Sequence, residues 1–530
     1  MKNVFIIYKN YYLNSRYFIV FFLLLAILSS AVIIVSPLLR AKIIDSAVYF
    51  NGMNIFLGFI LLAVALEVFN AFLMPYKHYI EFKIKADASI YLKEKILSRI
   101  PVLRYESLKK TTIGHVLQLV DSDIANTENL VITDLVIFLH QTIYLIVVSI
   151  IIIQINVLLI FVLIGILIPL LFISKVMIPK IQKKYEEYIL KNEEITNLTD
   201  DIYAGNLAIK LSNAYTFINN KIRTILSEAQ NILMKYNKNL VIHYHLFTGS
   251  FMNIGQFLLI SIGAYMIIRE QITIGTMIMI LSYFGGLWGT FDFLFSYWTT
   301  YKERMVSVER LVNFLNMPSE SNVGLPSVDF DSIILRNIYF DIDNQNVLSN
   351  ISLVINRGDK ILITGDNGSG KSTLVRLLVG LMSPSKGSIL YNDNEISTYN
   401  LHSLRQRIIY IPAEPHTFQG SFKDNSFGNS VESSLIDLEL YEKIDKNGNN
   451  LSSGEKKRLQ LACCMGNHYD LYIFDEPLNF VDEVSKNEIV DCLKNEFYDK
   501  TLIIISHESS LFKFCNVKYK MEGGRLLLTD

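Results

Sequence analysis

Lys371, Ser372 and Thr373 close the run Gly365-Asp366-Asn367-Gly368-Ser369-Gly370-Lys371-Ser372-Thr373, which fits G-x-x-x-x-G-K-[ST]. Residues of these types at this spacing bind phosphate. Glycines let the backbone curl so that its N–H groups point at phosphate oxygens. The start of a helix adds its partial positive charge. Gly365, Asn367, Gly368, Ser369, Gly370 and Thr373 would form the cradle. Lys371 would reach the β- and γ-phosphates, and the Ser372 hydroxyl would ligate Mg²⁺. A Gly-rich turn with a chance lysine is the bland alternative. It is outweighed by three further motifs that follow in order.

Leu471-Tyr472-Ile473-Phe474-Asp475-Glu476 is an apolar strand that ends in two acids, the Walker B arrangement. Asp475 would hold the Mg²⁺ shell, and Glu476 would orient or polarise the attacking water. Leu451-Ser452-Ser453-Gly454-Glu455 precedes a basic helix start. Ser and Gly at a helix N-terminus make a second anion site; on its own this would read as a plain N-cap. His507 follows the strand Leu502–Ser506, at the end of a parallel sheet where such folds bind ligands. There it would contact a γ-phosphate.

Positioning these groups takes two unlike halves. The chain has 530 residues, 51% hydrophobic and 19% charged, with a net charge of −1. That balance gives no electrostatic case for nucleic-acid binding. Six stretches are long enough to cross a bilayer, near 17–39, 55–75, 130–153, 155–178, 246–268 and 273–299. The first is too long for a signal-peptide core. Nine Lys/Arg lie from Lys77 to Lys110 and ten from Lys175 to Lys238. The positive-inside rule therefore puts both long segments and both termini in the cytoplasm. Ile80–Leu97 and Ile181–Ile195 read as helices that carry the spans into the cytoplasm. Arg304–Leu315 reads as a linking helix ended by Met317-Pro318-Ser319. Beyond it, Val354–Asn356, Ile361–Thr364, Ile408–Ile411, Leu471–Phe474 and Leu502–Ser506 read as buried strands of a largely parallel sheet. The four cysteines, Cys463, Cys464, Cys492 and Cys515, read as small core residues.

The order of P-loop, LSSGE, Walker B with Glu476, Asp482 and His507 resembles the ABC-transporter ATPase domain. The six spans and two long loops look like the exporter half-transporter type. Ser36-Pro37-Leu38 with Ile44-Asp45, Thr273-Ile274-Gly275-Thr276 and Ser307-Val308-Glu309-Arg310-Leu311 resemble the end of its first span, the start of its sixth and its connecting helix. The resemblance covers nearly the whole chain. It implies an all-α transmembrane domain over 1–315, a linker over 316–328, and an α/β nucleotide-binding domain over 329–530. It also implies ATP and Mg²⁺ as ligands, and a homodimer or a heterodimer with a related half. Each ATP would lie between one P-loop and the partner's signature, here Ser452, Ser453 and Gly454, with Asp482 nearby. Segments near Glu106–Gly114 and Ser212–Asn219 would dock on the ATPase domains.

Several positions depart from that pattern. Ala413 stands where the family usually has a glutamine that couples the ATPase to the loops, with Glu414 as a partial substitute. Ile342 stands where an aromatic residue usually stacks on adenine, with Tyr339 or Phe340 as replacements in another register. Ser453 and Glu455 replace Gly and Gln in the signature, and Lys446 replaces a glutamate. The stretch Gly420–Leu451 is short for a helical subdomain. Slow or tightly gated hydrolysis is the expectation.

Substrate identity is less legible. Glu67 sits mid-span and Asp292 lies in span six. Such charges normally face a cavity or a partner. The first reading favours cationic cargo; the second is a structural pair. Phe284, Trp288 and Phe291 would line a cavity or pack helices, whereas Tyr297 and Trp298 suit an interface belt. No Cys/His peptidase segment precedes the first span, so leader cleavage is not expected. The leading reading is ATP-driven export of a peptide or a hydrophobic or amphipathic compound across the cell membrane. A lipid flippase and a nonenzymatic ATP-binding membrane regulator are the alternatives.

Overall fold

A computed structural model describes residues 8, 11, 15–49, 52–109, 111–320, 323–326, 328–342, 345–414, 416–427, 442–465, 468–479 and 481–529. Packing divides the chain into two units. The first is Met1–Leu97 with Ile113–Asn316; the second is Ser98–Thr112 with Met317–Asp530. The segment 98–112, which sequence reading counts with the membrane half, therefore packs with the second unit.

The first unit is helical: α1 (Arg16–Val48), α2 (Met53–Leu97), α3 (Leu135–Ile155), α4 (Val157–Ala204), α5 (Tyr215–Val241), α6 (Ser250–Ile268) and α7 (Ile274–Leu315). Among the described residues, six helical runs are long and apolar enough to cross a membrane. α2 has 45 residues and α4 has 48. At 1.5 Å per residue they reach about 70 Å, roughly twice a hydrocarbon core. Their outer faces expose Phe69, Phe72 and Phe172, as lipid-facing helices do. α7 runs unbroken through the sixth span and the linking helix, which the sequence reading separates.

Side chains from distant segments close this unit. Asp45 accepts from Thr273 Oγ1 at 2.6 Å and from the Gly275 N–H at 2.8 Å, capping α7. A Cβ at Gly275 would lie 2.2 Å from the Ala41 carbonyl, so only glycine allows this approach. Arg310 grips Asp123 in a fork at 2.8 and 2.6 Å, and Arg304 pairs with Asp134. Phe284 and Trp288 are buried and tilt against each other, which makes them packing residues rather than cavity lining. Tyr297, expected in an interface belt, stacks on Phe293 and tilts against Phe138. The side chains of Asp292, Phe295 and Trp298 lie outside the described residues. Glu67 has partners: Ser36 Oγ donates to it at 2.9 Å and Arg40 lies 3.8 Å away. The same three residues line a cavity of about 480 Å³, so the carboxylate has both close partners and a cavity beside it.

The second unit holds two sheets. One is antiparallel, ordered β2 (Gln345–Asn356), β1 (Ser332–Ile342), β4 (Lys386–Tyr391) and β5 (Asn394–Glu395). The other runs β10 (Arg525–Thr529), β9 (Val517–Glu522), β3 (Lys360–Thr364), β8 (Thr501–Ile505), β7 (Leu471–Asp475) and β6 (Ile408–Ile411). Its strands pair in parallel except for the edge strand β10. Val354–Asn356, read from sequence as part of the parallel sheet, belongs to the antiparallel one. Its alternating burial is that of a strand with one face turned outward. β7 and β8 are buried at every position, the mark of strands covered on both faces. Cys464, Cys492 and Cys515 are buried thiols in this core. The helical subdomain expectation falls largely on 428–441, outside the described residues.

Candidate functional site

β3 delivers the loop Gly365–Gly370 to the carboxyl ends of the parallel strands, and α8 (Lys371–Leu378) leaves from it. Gly365, Gly368 and Gly370 all have positive φ, at 139°, 81° and 105°. A Cβ at Gly365 would lie 2.3 Å from the Met521 carbonyl, so the loop can take this path only with glycine there. Lys371 is buried and its ammonium folds back onto the Gly365 carbonyl and, at 3.0 Å, the Asp366 carbonyl. Among the described residues the Ser369 hydroxyl, on the same loop, is buried without a hydrogen-bond partner. Thr373 is buried, while Asn367 and Gly368 are exposed at the loop tip.

Ser372 Oγ donates to Asp475 Oδ2 at 3.0 Å, so β7 and the P-loop meet at one carboxylate. Tyr410, on β6, donates to the same oxygen at 3.1 Å. Burial first, then the Asp475 charge, pushes the Tyr410 hydroxyl's pKa up. Sequence reading missed Tyr410; its signal was a hydroxyl-bearing residue in the otherwise aliphatic strand Ile408–Ile411. A hydroxyl and a carboxyl group 3.0 Å apart are hard oxygen donors of the type Mg²⁺ takes, so the donor set fits that ion.

Glu476 follows β7 with φ 47°, a left-handed conformation that costs a non-glycine residue about 1–3 kcal/mol. Its N–H donates to the Ile505 carbonyl at 2.9 Å. Burial raises its carboxyl above the usual range, opposed by the nearby charges of His507, Lys371 and Lys457. His507 is exposed past the end of β8 and lines a cavity of about 430 Å³ with Gly365 and Asp366.

The signature stands elsewhere in the unit. Ser452 caps α9 (Ser453–Met465), and Ser452 and Ser453 are exposed. The Ser452 N–H donates to Glu455 Oε2 at 2.6 Å, and the Glu455 N–H donates to Ser452 Oγ at 3.3 Å. This reciprocal capping box gives Glu455 a physical reason. The atoms nearest a Cβ on Gly454 belong to Ser485, Asp482 and Val481. Asp482 caps α10 (Glu483–Glu496) by accepting from the Ser485 N–H at 3.0 Å, and that backbone bond holds its carboxyl below the usual range. Ile342 is half-buried against the core at the end of β1. Phe340, a possible adenine platform in another register, is turned into the core. Ala413 is half-buried and Glu414 exposed. The Lys446 side chain lies outside the described residues.

Segment 98–112 packs within the same unit. Arg99 donates to the Met317 carbonyl at 2.7 Å, the Arg104 N–H to Pro318, and Arg376 of α8 sits over the Tyr105 ring. The short helix Tyr105–Lys109 thus rests on the helix that follows the P-loop.

A family described as ABC transporter transmembrane region matches residues 19–291. A second, described as ABC transporter, matches residues 348–479. The sublancin-168-processing and transport ATP-binding protein of Bacillus subtilis is 26% identical over 387 residues, covering 68% of this chain and 54% of that protein. ATP-dependent lipid A-core flippase 2 of Colwellia psychrerythraea is 29% identical over 283 residues, covering 49% of this chain and 48% of that protein. This chain therefore spans about half the length of these curated relatives. A solved structure of a bacterial Atm1-family ABC exporter with ATP bound superposes with a TM-score of 0.83. It is 18% identical and covers 97% of this chain and 94% of that one, a likeness of fold.

Proposed function

This chain belongs to the ABC transporter family, and from that premise we propose that it is one half of a dimeric exporter driven by Mg²⁺-ATP hydrolysis. The observation that carries this reading is the convergence of Lys371, Ser372 and Asp475 at the ends of parallel strands, in a chain with six membrane-length helices.

The roles in this reading draw on the family resemblance, supported by where these residues lie. Backbone N–H groups of Gly365, Asn367, Gly368 and Gly370, with the Ser369 and Thr373 hydroxyls, cradle phosphate oxygens. Lys371 offers its ammonium to the β- and γ-phosphates. Ser372 and Asp475 would hold Mg²⁺, which when bound neutralises phosphate charge. Glu476 orients and polarises water, and His507 contacts the γ-phosphate. Ile342 packs on the base. Ser452, Ser453 and Gly454 of one chain close the partner's site, with Asp482 beside them. The ATPase unit and both termini lie in the cytoplasm, following the Lys/Arg-rich long segments. The cargo is a peptide or a hydrophobic or amphipathic compound, a reading supported by the sublancin transporter's name. The second reading, lipid flipping, is supported by the flippase's name.

Mg²⁺-dependent ATP turnover by the full chain in lipid nanodiscs, against Glu476→Gln, tests the motor. Turnover that the substitution leaves intact sinks the assigned base. Stimulation by lipid with no effect of added peptides or amphiphiles replaces export by flipping.

A further inference from the structure

Lys457 lies on α9, just past the capping box, and belongs to none of the motifs above. It is 5% exposed. Its ammonium donates to the Ala413 carbonyl at 2.6 Å and to the Glu476 carbonyl at 3.3 Å. One carbonyl belongs to the loop after β6. The other belongs to the residue assigned to water activation. Ala413 has no polar side chain, so its backbone oxygen makes this link.

Burying an ammonium is costly, and an alkyl side chain of similar length would fill the space more cheaply. The position of the two acceptors explains the charge. Glu476 holds a left-handed backbone at φ 47°, which persists only where neighbours enforce it. Its N–H is tied to β8 through Ile505 at 2.9 Å. Lys457 ties the following carbonyl, so the peptide that carries the acid is fixed from both sides. Three carboxylates face the ammonium: Asp475 and Glu476 from the end of β7, and Glu414 from the loop after β6. Glu476 also faces Lys371 and His507.

We propose that Lys457 is a positioning residue that braces the Ala413 loop against Glu476 and keeps the Glu476 carboxylate aimed at the hydrolytic water. The inference rests on the ATPase reading and adds a residue to it. Burial lowers the Lys457 ammonium's pKa to about 8, against the pull of Asp475, Glu476 and Glu414. The charged brace is therefore complete below about pH 8 and is lost as pH rises through that value.

The test uses the full chain in nanodiscs with Lys457→Met and Lys457→Arg. Lys457→Met is expected to lower kcat roughly tenfold or more while KM for ATP stays within about twofold. Wild-type turnover is expected to fall as pH rises through about 8. Lys457→Arg keeps its charge and should lack that basic limb. Hydrogen exchange of the segments around 411–414 and 474–478 is read in the same samples. Lys457→Met should speed exchange in both together. Turnover in Lys457→Met within about twofold of wild type, or a KM that rises in step with the loss of kcat, overturns the proposal. Unchanged exchange in both segments also overturns it, whether or not the chain hydrolyses ATP. Turnover that survives Glu476→Gln removes Glu476 as the base and overturns the brace with it, whereas a nucleotide-binding wild type with no Mg²⁺-ATP turnover sinks the ATPase reading alone, and the exchange result then decides the brace.

Discussion

Two sets of charged groups, one from each unit, are arranged in opposite ways. In the helical unit, three acids singled out among the described residues are answered by neighbours: Asp123 by Arg310, Asp134 by Arg304, Glu67 by Ser36 and Arg40. In the nucleotide unit, Lys371, Asp475, Glu476 and His507 converge on one place. Paired charges hold a structure together. Convergent charges that stay incompletely matched are arranged to receive something. The difference explains why motif spacing reveals chemistry in one unit and only architecture in the other.

The strongest break of that contrast is Glu476→Gln. It should lower Mg²⁺-ATP turnover by about two orders of magnitude or more while ATP still binds, because it removes a group used in the transition state. Retained turnover in a nucleotide-binding sample would show that convergence here is not catalytic.

Arg310→Ala is the counterpart in the helical unit. It leaves the Asp123 carboxylate, whose side chain is 0% exposed, buried without its fork. The Arg310 side chain is 34% exposed and water can answer part of the loss, so the cost should be about 1–3 kcal/mol. A thermal-unfolding series in detergent reads this, with Asp123→Asn/Arg310→Met expected to recover most of the loss. No recovery would mean that the arginine packs rather than pairs.

Asp45→Ala removes the acceptor of Thr273 Oγ1 and the Gly275 N–H at the start of α7. Losing a helix cap of this kind costs about 0.5–2 kcal/mol. A matched Tm series checks it, and an unchanged Tm would show that the cap is replaceable.

The smallest effect belongs to Glu67→Gln. Ser36 and Arg40 already answer this carboxylate. Stimulation of ATP turnover by cationic peptides should stay within about twofold of wild type, as expected for an exposed pair worth about 0–1 kcal/mol. A larger shift would turn the pair into a cargo contact and blur the contrast.

Much of the fold was legible because its signals are local. Six apolar stretches follow from the thickness of a bilayer, and the P-loop and Walker B follow from runs of nine and six residues. Local runs failed where a segment's partner decides its state. Val354–Asn356 reads as a buried strand of the parallel sheet, and its pairing with β1 places it in the antiparallel one instead. The break before Arg304 came from polar residues in a helix whose neighbours keep it continuous.

Sequence by itself determined the two kinds of unit, the phosphate cradle and the acid pair, since each needs only neighbouring residues in the right order. Tertiary structure alone joined Asp45 to Gly275, 230 positions apart, and Arg310 to Asp123, 187 apart. It also placed Tyr410 on Asp475 and Lys457 between Ala413 and Glu476. Those contacts arise when separate elements pack, and no periodicity along the chain records which distant side chain fills a given space.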